Sequence, residues 1–156
     1  MKINPYKSLL LILLFVFACS SDDNKNNSQS KSDVLISGSP WTFEFYELIS
    51  IPGYIGEIDS KLKTQIESEV NSNNVNTKYI FDSNGTGKLI IPSQEDRNFD
   101  WELINENQLR IIFNQGITVV FDEFEINSNR FSVEIENLHE YGGNEPLIIF
   151  GRYYYN

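Results

Sequence analysis

The chain predicts an all-β protein: an up-and-down antiparallel β-barrel of about eight strands (β), with one short helix in its first long connection. Three observations carry this expectation. Residues 77–91 read as a hairpin, in which two runs rich in aromatic and β-branched residues flank Asp82-Ser83-Asn84-Gly85, a tetrad whose Asn and Gly tolerate positive φ and reverse the chain. The same rhythm of short alternating segments and polar turns continues to the C-terminus, and short connections pair sequential strands antiparallel. A meander of that many strands exposes two edges unless it closes on itself. A two-sheet sandwich is the alternative, and it needs longer crossovers than the sequence contains.

Taken in order, the chain opens on an address. Lys2 and Lys7 precede an apolar run, residues 9–17, much shorter than the about 20 residues of a membrane span, so residues 1–18 read as a secretory signal peptide. The run closes on Phe17-Ala18-Cys19, which resembles a bacterial lipobox. By that resemblance Cys19 is the first mature residue and carries the lipid. It is the only cysteine, so an intramolecular disulfide and multi-cysteine metal or redox chemistry are excluded. Residues 19–33 form a polar tether too poor in apolar surface to order itself. Within it Ser20-Ser21-Asp22-Asp23 resembles the acidic export signal of surface lipoproteins in Bacteroidota, which implies a lipid-anchored outer-membrane protein facing the cell exterior. The other reading is two acids in an ordinary linker.

Residues 34–156 make one domain of ordinary length. In 40–47, Trp41, Phe43 and Phe45 alternate onto one face, the pattern of a half-buried strand. Pro52-Gly53 marks a turn. Asp59 is placed to cap the one expected helix, whose stripe is Ile58, Leu62, Ile66 and Val70, with Lys61, Lys63, Glu67 and Glu69 outside it and Asn71-Ser72-Asn73-Asn74 ending it. That helix is expected near a barrel mouth. The hairpin supplies two strands. Further strands follow at 99–103, 109–113, 117–121 (with 126 as the limit of an extension), 131–136 and 147–155, separated by turns rich in Asn, Gly and Ser.

Charge narrows the partners. The precursor carries −10, and loss of Lys2 and Lys7 takes the mature chain to −12, which disfavours nucleic acid because phosphate binding wants a basic patch. Aromatic residues at 13% suffice to fill a core. The inward faces read above deliver Trp41, Phe43, Phe45, Tyr79, Phe81, Phe99, Trp101, Phe113, Phe121 and Phe131. So many rings predict a nearly plugged barrel with a small pocket at one end, since a barrel of about eight strands is just wide enough to be filled by side chains or to hold one small ligand. Trp101, sharing a face with Phe99 and Leu103, is expected to be buried.

Gly38-Ser39-Pro40-Trp41 is similar to the Gly-x-Trp opening of lipocalin-like domains, with one extra residue between Gly and Trp. Tyr79-Ile80-Phe81-Asp82-Ser83-Asn84-Gly85-Thr86-Gly87, Trp101-Glu102-Leu103 and Asn107-Gln108-Leu109-Arg110-Ile111 resemble the strand and turn patterns of lipocalin-like lipoproteins of the Bacteroidota type. The resemblance covers most of residues 37–156 and implies a barrel that works by binding. No ligand-binding residue carries over from it, and the 52–74 insertion is longer than such a domain requires.

Candidate chemistry is sparse. His139, the only histidine, lacks the nucleophile and orienting partner of a general base and reads as a surface residue. Asp82-Ser83-Asn84-Gly85-Thr86 has the look of a calcium loop without its closing Glu, and reads as a plain turn. Thr86-Gly87-Lys88 lacks the spacing of a phosphate loop. Asp122, Glu123, Glu125, Glu134 and Glu136 could pair as catalytic carboxylates or hold a cation, but on alternating strands they read as a solvated face. Tyr46, Tyr54, Tyr141, Tyr153, Tyr154 and Tyr155 could form a sugar-binding platform, or could alternate between core and solvent. The expectation is therefore no catalytic residue, no metal and no cofactor. It is a non-enzymatic binding protein, held to the membrane by the lipid on Cys19. Its ligand would be a small apolar molecule held inside the barrel; the alternative is a scaffold with a plugged barrel whose loops meet a glycan or a protein.

Overall fold

The computed structural model describes residues 29–140 and 146–156. In chain order it holds α1 (Lys31–Ser37), β1 (Trp41–Ser50), α2 (Ser60–Asn74), β2 (Lys78–Phe81), β3 (Thr86–Ile90), β4 (Arg97–Asn105), β5 (Gln108–Phe113), β6 (Thr118–Asn127), β7 (Arg130–His139) and β8 (Leu147–Tyr155). The eight strands pair in sequence order and close into a barrel, every pairing antiparallel. This is the predicted architecture. The meander closes where β8 runs beside β1 from Phe43↔Tyr155 to Ser50↔Phe150.

The antiparallel order defines two poles. At the N-terminal pole lie α1, the start of β1 and the turns after β2, β4 and β6. At the far pole lie the turns after β3 and β5, the segment leaving β1, the end of β7 and the start of β8.

Two helices, not one, are present among the described residues. The additional one, α1, takes in Lys31–Asp33 from the expected tether. Ser30 caps it: its Oγ accepts from Asp33 N at 3.2 Å and donates to Asp33 Oδ2 at 2.7 Å, a reciprocal arrangement that satisfies an otherwise orphaned amide. The apolar Leu35 that follows is wholly buried. The second helix, α2, starts as expected, with Asp59 Oδ1 accepting from Lys61 N and Leu62 N. It does not stop at the Asn run but continues through Asn74.

Two register shifts re-aim side chains. Between Phe43 and Phe45 the β1–β8 pairing gains one residue on β1, a β-bulge that flips the alternation beyond it. Phe45 therefore leaves the inward set. It lies outside, stacked on Tyr154 with ring centroids 4.3 Å apart, and Tyr46 and Leu48 are buried instead. A second shift between Asp122 and Glu125 in β6 puts Glu123 at φ +50° and turns Phe124 into the core.

The interior is packed with rings. Trp41 meets Phe131 edge-on at 5.4 Å, Phe131 stacks on Tyr155 at 4.5 Å, and Phe81 meets Phe99 at 5.6 Å. Such aromatic contacts add to simple area burial. A Cβ at Gly87 would meet the Phe99 ring, and one at Gly151 would meet the Tyr46 ring, so glycine at both positions lets a ring lie against the strand backbone. Trp101 and Phe113 pack against this core but are only partly buried. For Trp101 that corrects the expectation of full burial. Its Nε1 donates to Thr86 O at 2.9 Å near the turn after β2.

Candidate functional site

The β1–β2 seam is the least regular part of the barrel wall. β2 is four residues long and pairs with β1 only at Trp41↔Tyr79 and Thr42↔Lys78, with Phe43 N also donating to Thr77 O at 2.8 Å. Beyond this, β1 presents backbone groups without a strand partner on that side, and helix α2 answers them with side chains. Asn71 Oδ1 accepts from Tyr46 N at 2.7 Å, Glu67 Oε1 accepts from Leu48 N at 3.0 Å, and Lys63 Nζ donates to Leu48 O at 2.8 Å. Lys63 and Glu67, expected outside the helix's buried stripe, thus face β1 and pair with each other at 3.0 Å. Ile66 and Val70 are buried as the stripe requires.

Inside the β1, β2 and β8 wall sits a group of tyrosines. Tyr46, Tyr79, Tyr153 and Tyr155 are buried. Burial is the leading cause that raises all four hydroxyls, Tyr153 to about 12, because a tyrosinate would lose its hydration there. Tyr153 OH accepts from Asn137 Nδ2 at 2.9 Å. Tyr46 OH and Thr77 Oγ1 are buried without a hydrogen-bond partner among the described residues. Tyr154 points the other way, its OH donating to Glu47 Oε2 at 3.2 Å, and Tyr54 is exposed. The tyrosines therefore alternate between core and solvent and do not form one platform; Tyr141 lies outside the described residues.

His139 is not a free surface residue. Its side chain is largely covered at the end of β7, with Nε2 at 3.1 Å from Glu69 Oε2 of α2. The two atoms are close, yet Nε2 has no hydrogen-bond partner among the described residues.

Of the acids of β6 and β7, Glu125 and Glu134 are drawn to Arg152, while Asp122 accepts from Gln108 Nε2 at 2.6 Å. Arg152 Nε donates to Glu134 Oε1 at 3.0 Å and its Nη1 to Glu125 Oε2 at 3.4 Å. Burial works against the guanidinium's charge, but the hydrogen bond to Glu134 and the charges of Glu134 and Glu125 outweigh it and raise its pKa. Among the described residues no group of three or more His, Cys, Asp or Glu gathers as a metal site. In the turn after β2, Asn84 Oδ1 accepts from Thr86 N and Thr86 Oγ1 at 3.1 and 2.7 Å. That is the hydrogen bonding of a plain turn. Cys19, Ser20, Ser21, Asp22 and Asp23 lie outside the described residues.

Sequence patterns did not single out the concavity at the far pole. A cleft of about 540 Å³ opens between the turns that follow β3 and β5, with Phe113 and Val119 partly buried in it and Gln94, Arg97, Asn98, Asn114 and Gln115 around them. The only cue in the sequence is the density of amides in those two turns. Compared with known proteins, the chain matches no family model, no curated protein and no solved structure.

Proposed function

We propose that this is a non-enzymatic binding protein, anchored in the outer membrane by a lipid on Cys19 and exposed at the cell surface. On this reading it binds at the far pole of a barrel whose interior is filled. The resemblance to lipocalin-like lipoproteins supports the class, and a closed antiparallel barrel is consistent with it. The observation that carries the choice of binding mode is the ring packing of Trp41, Phe81, Phe99, Phe131 and Tyr155 across the interior, which leaves the space a lipid-sized ligand needs occupied by side chains. The tether joins the domain at α1, on the N-terminal pole, so the far pole is the one directed away from an anchor on Cys19.

The anchor is tested by Cys19→Ala, which should stop labelling by a fatty-acid probe and shift the protein out of the membrane fraction. A variant that still labels sinks the lipid assignment. The binding mode is tested by titrating a fluorescent fatty acid against the protein. No saturable binding is expected, and tight stoichiometric uptake would restore transport inside the barrel as the first reading.

A further inference from the structure

The far-pole cleft has a chemical character that points to a ligand class. Its volume, about 540 Å³, lies within the ~300–1,000 Å³ of small-molecule sites. Its apolar part comes from Phe113, Val119 and the exposed Ile117; Phe113 pairs with Phe99 and Val119 with Ile111, so these two are held by core partners and present only part of their surface. The Phe113 ring is braced edge-on by Phe99 at 5.8 Å.

The rim carries four primary amides, Gln94, Asn98, Asn114 and Gln115, beside three charged residues, Glu95, Asp96 and Arg97. Arg97 donates to Gln94 Oε1 at 3.1 Å, which orients both side chains and leaves further guanidinium donors. The amides of Asn98, Asn114 and Gln115 have no side-chain partner among the described residues. The acids beside Arg97, Glu95 and Asp96, offset its charge, and Asp96 is drawn to Lys88 at 3.4 Å. The cleft therefore has no excess of positive field to select an anion.

We propose that this cleft binds a neutral saccharide segment, one sugar face lying on Phe113 and the hydroxyls meeting the amides and Arg97. A primary amide both donates and accepts, which matches hydroxyls that do the same. The negative face of an aromatic ring suits the weakly positive C–H face of a sugar. A peptide fits less well: strand addition needs an exposed sheet edge, and β3 through β6 are paired on both sides here.

The proposal rests on the reading that the protein binds at its far pole. Its test uses the full chain purified in an amine-oxide detergent, which carries no sugar. The probes are neutral hexasaccharides of glucose, mannose, galactose and xylose, an anionic hyaluronan hexasaccharide, and a tryptic peptide mixture. Saturation-transfer NMR and calorimetric titration are the readouts. At least one neutral hexasaccharide should bind saturably. Asn114→Ala combined with Gln115→Ala should weaken it roughly five-fold or more, the loss of about one net hydrogen bond, with the melting temperature unchanged. Phe113→Leu, which keeps an apolar side chain in place, should weaken it at least as much. Absence of binding to every neutral sugar, or unchanged affinity in both variants, overturns the proposal. Preference for hyaluronan or peptide, lost in the same variants, overturns the neutral saccharide while leaving far-pole binding intact. Fatty-acid uptake in the interior overturns both.

Discussion

The two poles of the barrel are finished by different chemistry. At the N-terminal pole a short helix seals the end with hydrocarbon. Leu35 is wholly buried and Trp41 is 1% exposed; Trp41 Nε1 donates to Leu35 O at 2.7 Å, and Ser39 Oγ accepts from Phe81 N at 2.8 Å. Lys31 of α1 reaches across to Glu106 O and lies over the Phe124 ring. At the far pole the finish is mixed: helix side chains complete the edge of β1, Glu69 abuts His139, amides and charged groups line an open cleft, and Ile55, Ile117 and Leu138 are exposed. The difference teaches a division of labour. The pole that carries α1 is closed by buried apolar side chains, and the opposite pole leaves both polar and apolar groups exposed.

The tyrosines on the wall between the poles give the broadest way to break both at once. Burial raises Tyr46, Tyr79, Tyr153 and Tyr155 in the folded state, Tyr153 to about 12, whereas an unfolded tyrosine ionises near pH ~10. The folded state thus holds more protons in that window, so stability is fully present below about pH 10 and falls as pH rises toward Tyr153's folded value. The melting temperature should drop steeply between about pH 10 and about pH 12, with tyrosinate absorbance from these residues appearing together with unfolding. Ionisation that runs smoothly ahead of unfolding would mean that these hydroxyls reach water.

The next largest effect separates a sealed site from a half-open one within the protein's two tryptophans. Trp41→Ala removes the plug of the N-terminal pole and should cost about 3–5 kcal/mol, a large part of the ~5–15 kcal/mol that holds a domain. Trp101, only partly buried, should cost less when truncated. Urea denaturation of both variants checks the order, and equal losses would erase the distinction.

The strand pattern was legible in the sequence because alternation and turn residues are local properties. All eight strands lie where these signals place them, and the Asp59 cap begins α2. Helix α1 was missed: its Ser30 cap and polar first turn, Lys31-Ser32-Asp33, blend into the tether, and only the packing of Leu35 marks it as part of the fold. The bulges were not legible. At Phe45-Tyr46 both residues are aromatic, so nothing local tells which one faces inward. That is decided by pairing with Tyr154 and Tyr153 on β8, more than a hundred residues away in sequence. Asn71 posed a similar problem: as part of an Asn run it reads as a helix stop, while in the fold its side chain serves Tyr46 N. The cleft joins two turns that are separate in sequence, so only the barrel brings their amides together.

The smallest effect, and the sharpest probe of the far pole, lies at the β1–α2 seam. If Asn71 and Glu67 stand in for a missing strand, removing them should leave the amides of Tyr46 and Leu48 without acceptors. These bonds are partly buried, so each truncation, Asn71→Ala or Glu67→Ala, should cost about 1 kcal/mol, near the net worth of one hydrogen bond. Glu67→Gln separates the bond from the ion pair. It keeps an oxygen for Leu48 N but loses the Lys63 charge pairing, which is partly exposed and worth about 0–1 kcal/mol. It should therefore be milder than Glu67→Ala. Hydrogen exchange supplies the local readout. In the Asn71→Ala, Glu67→Ala double variant, exchange should quicken at Tyr46 and Leu48 while the amide of Trp41, at the sealed pole, keeps its protection. Equal acceleration at Trp41 would mean that the poles open as one unit and that α2 supports the whole barrel rather than one edge of it.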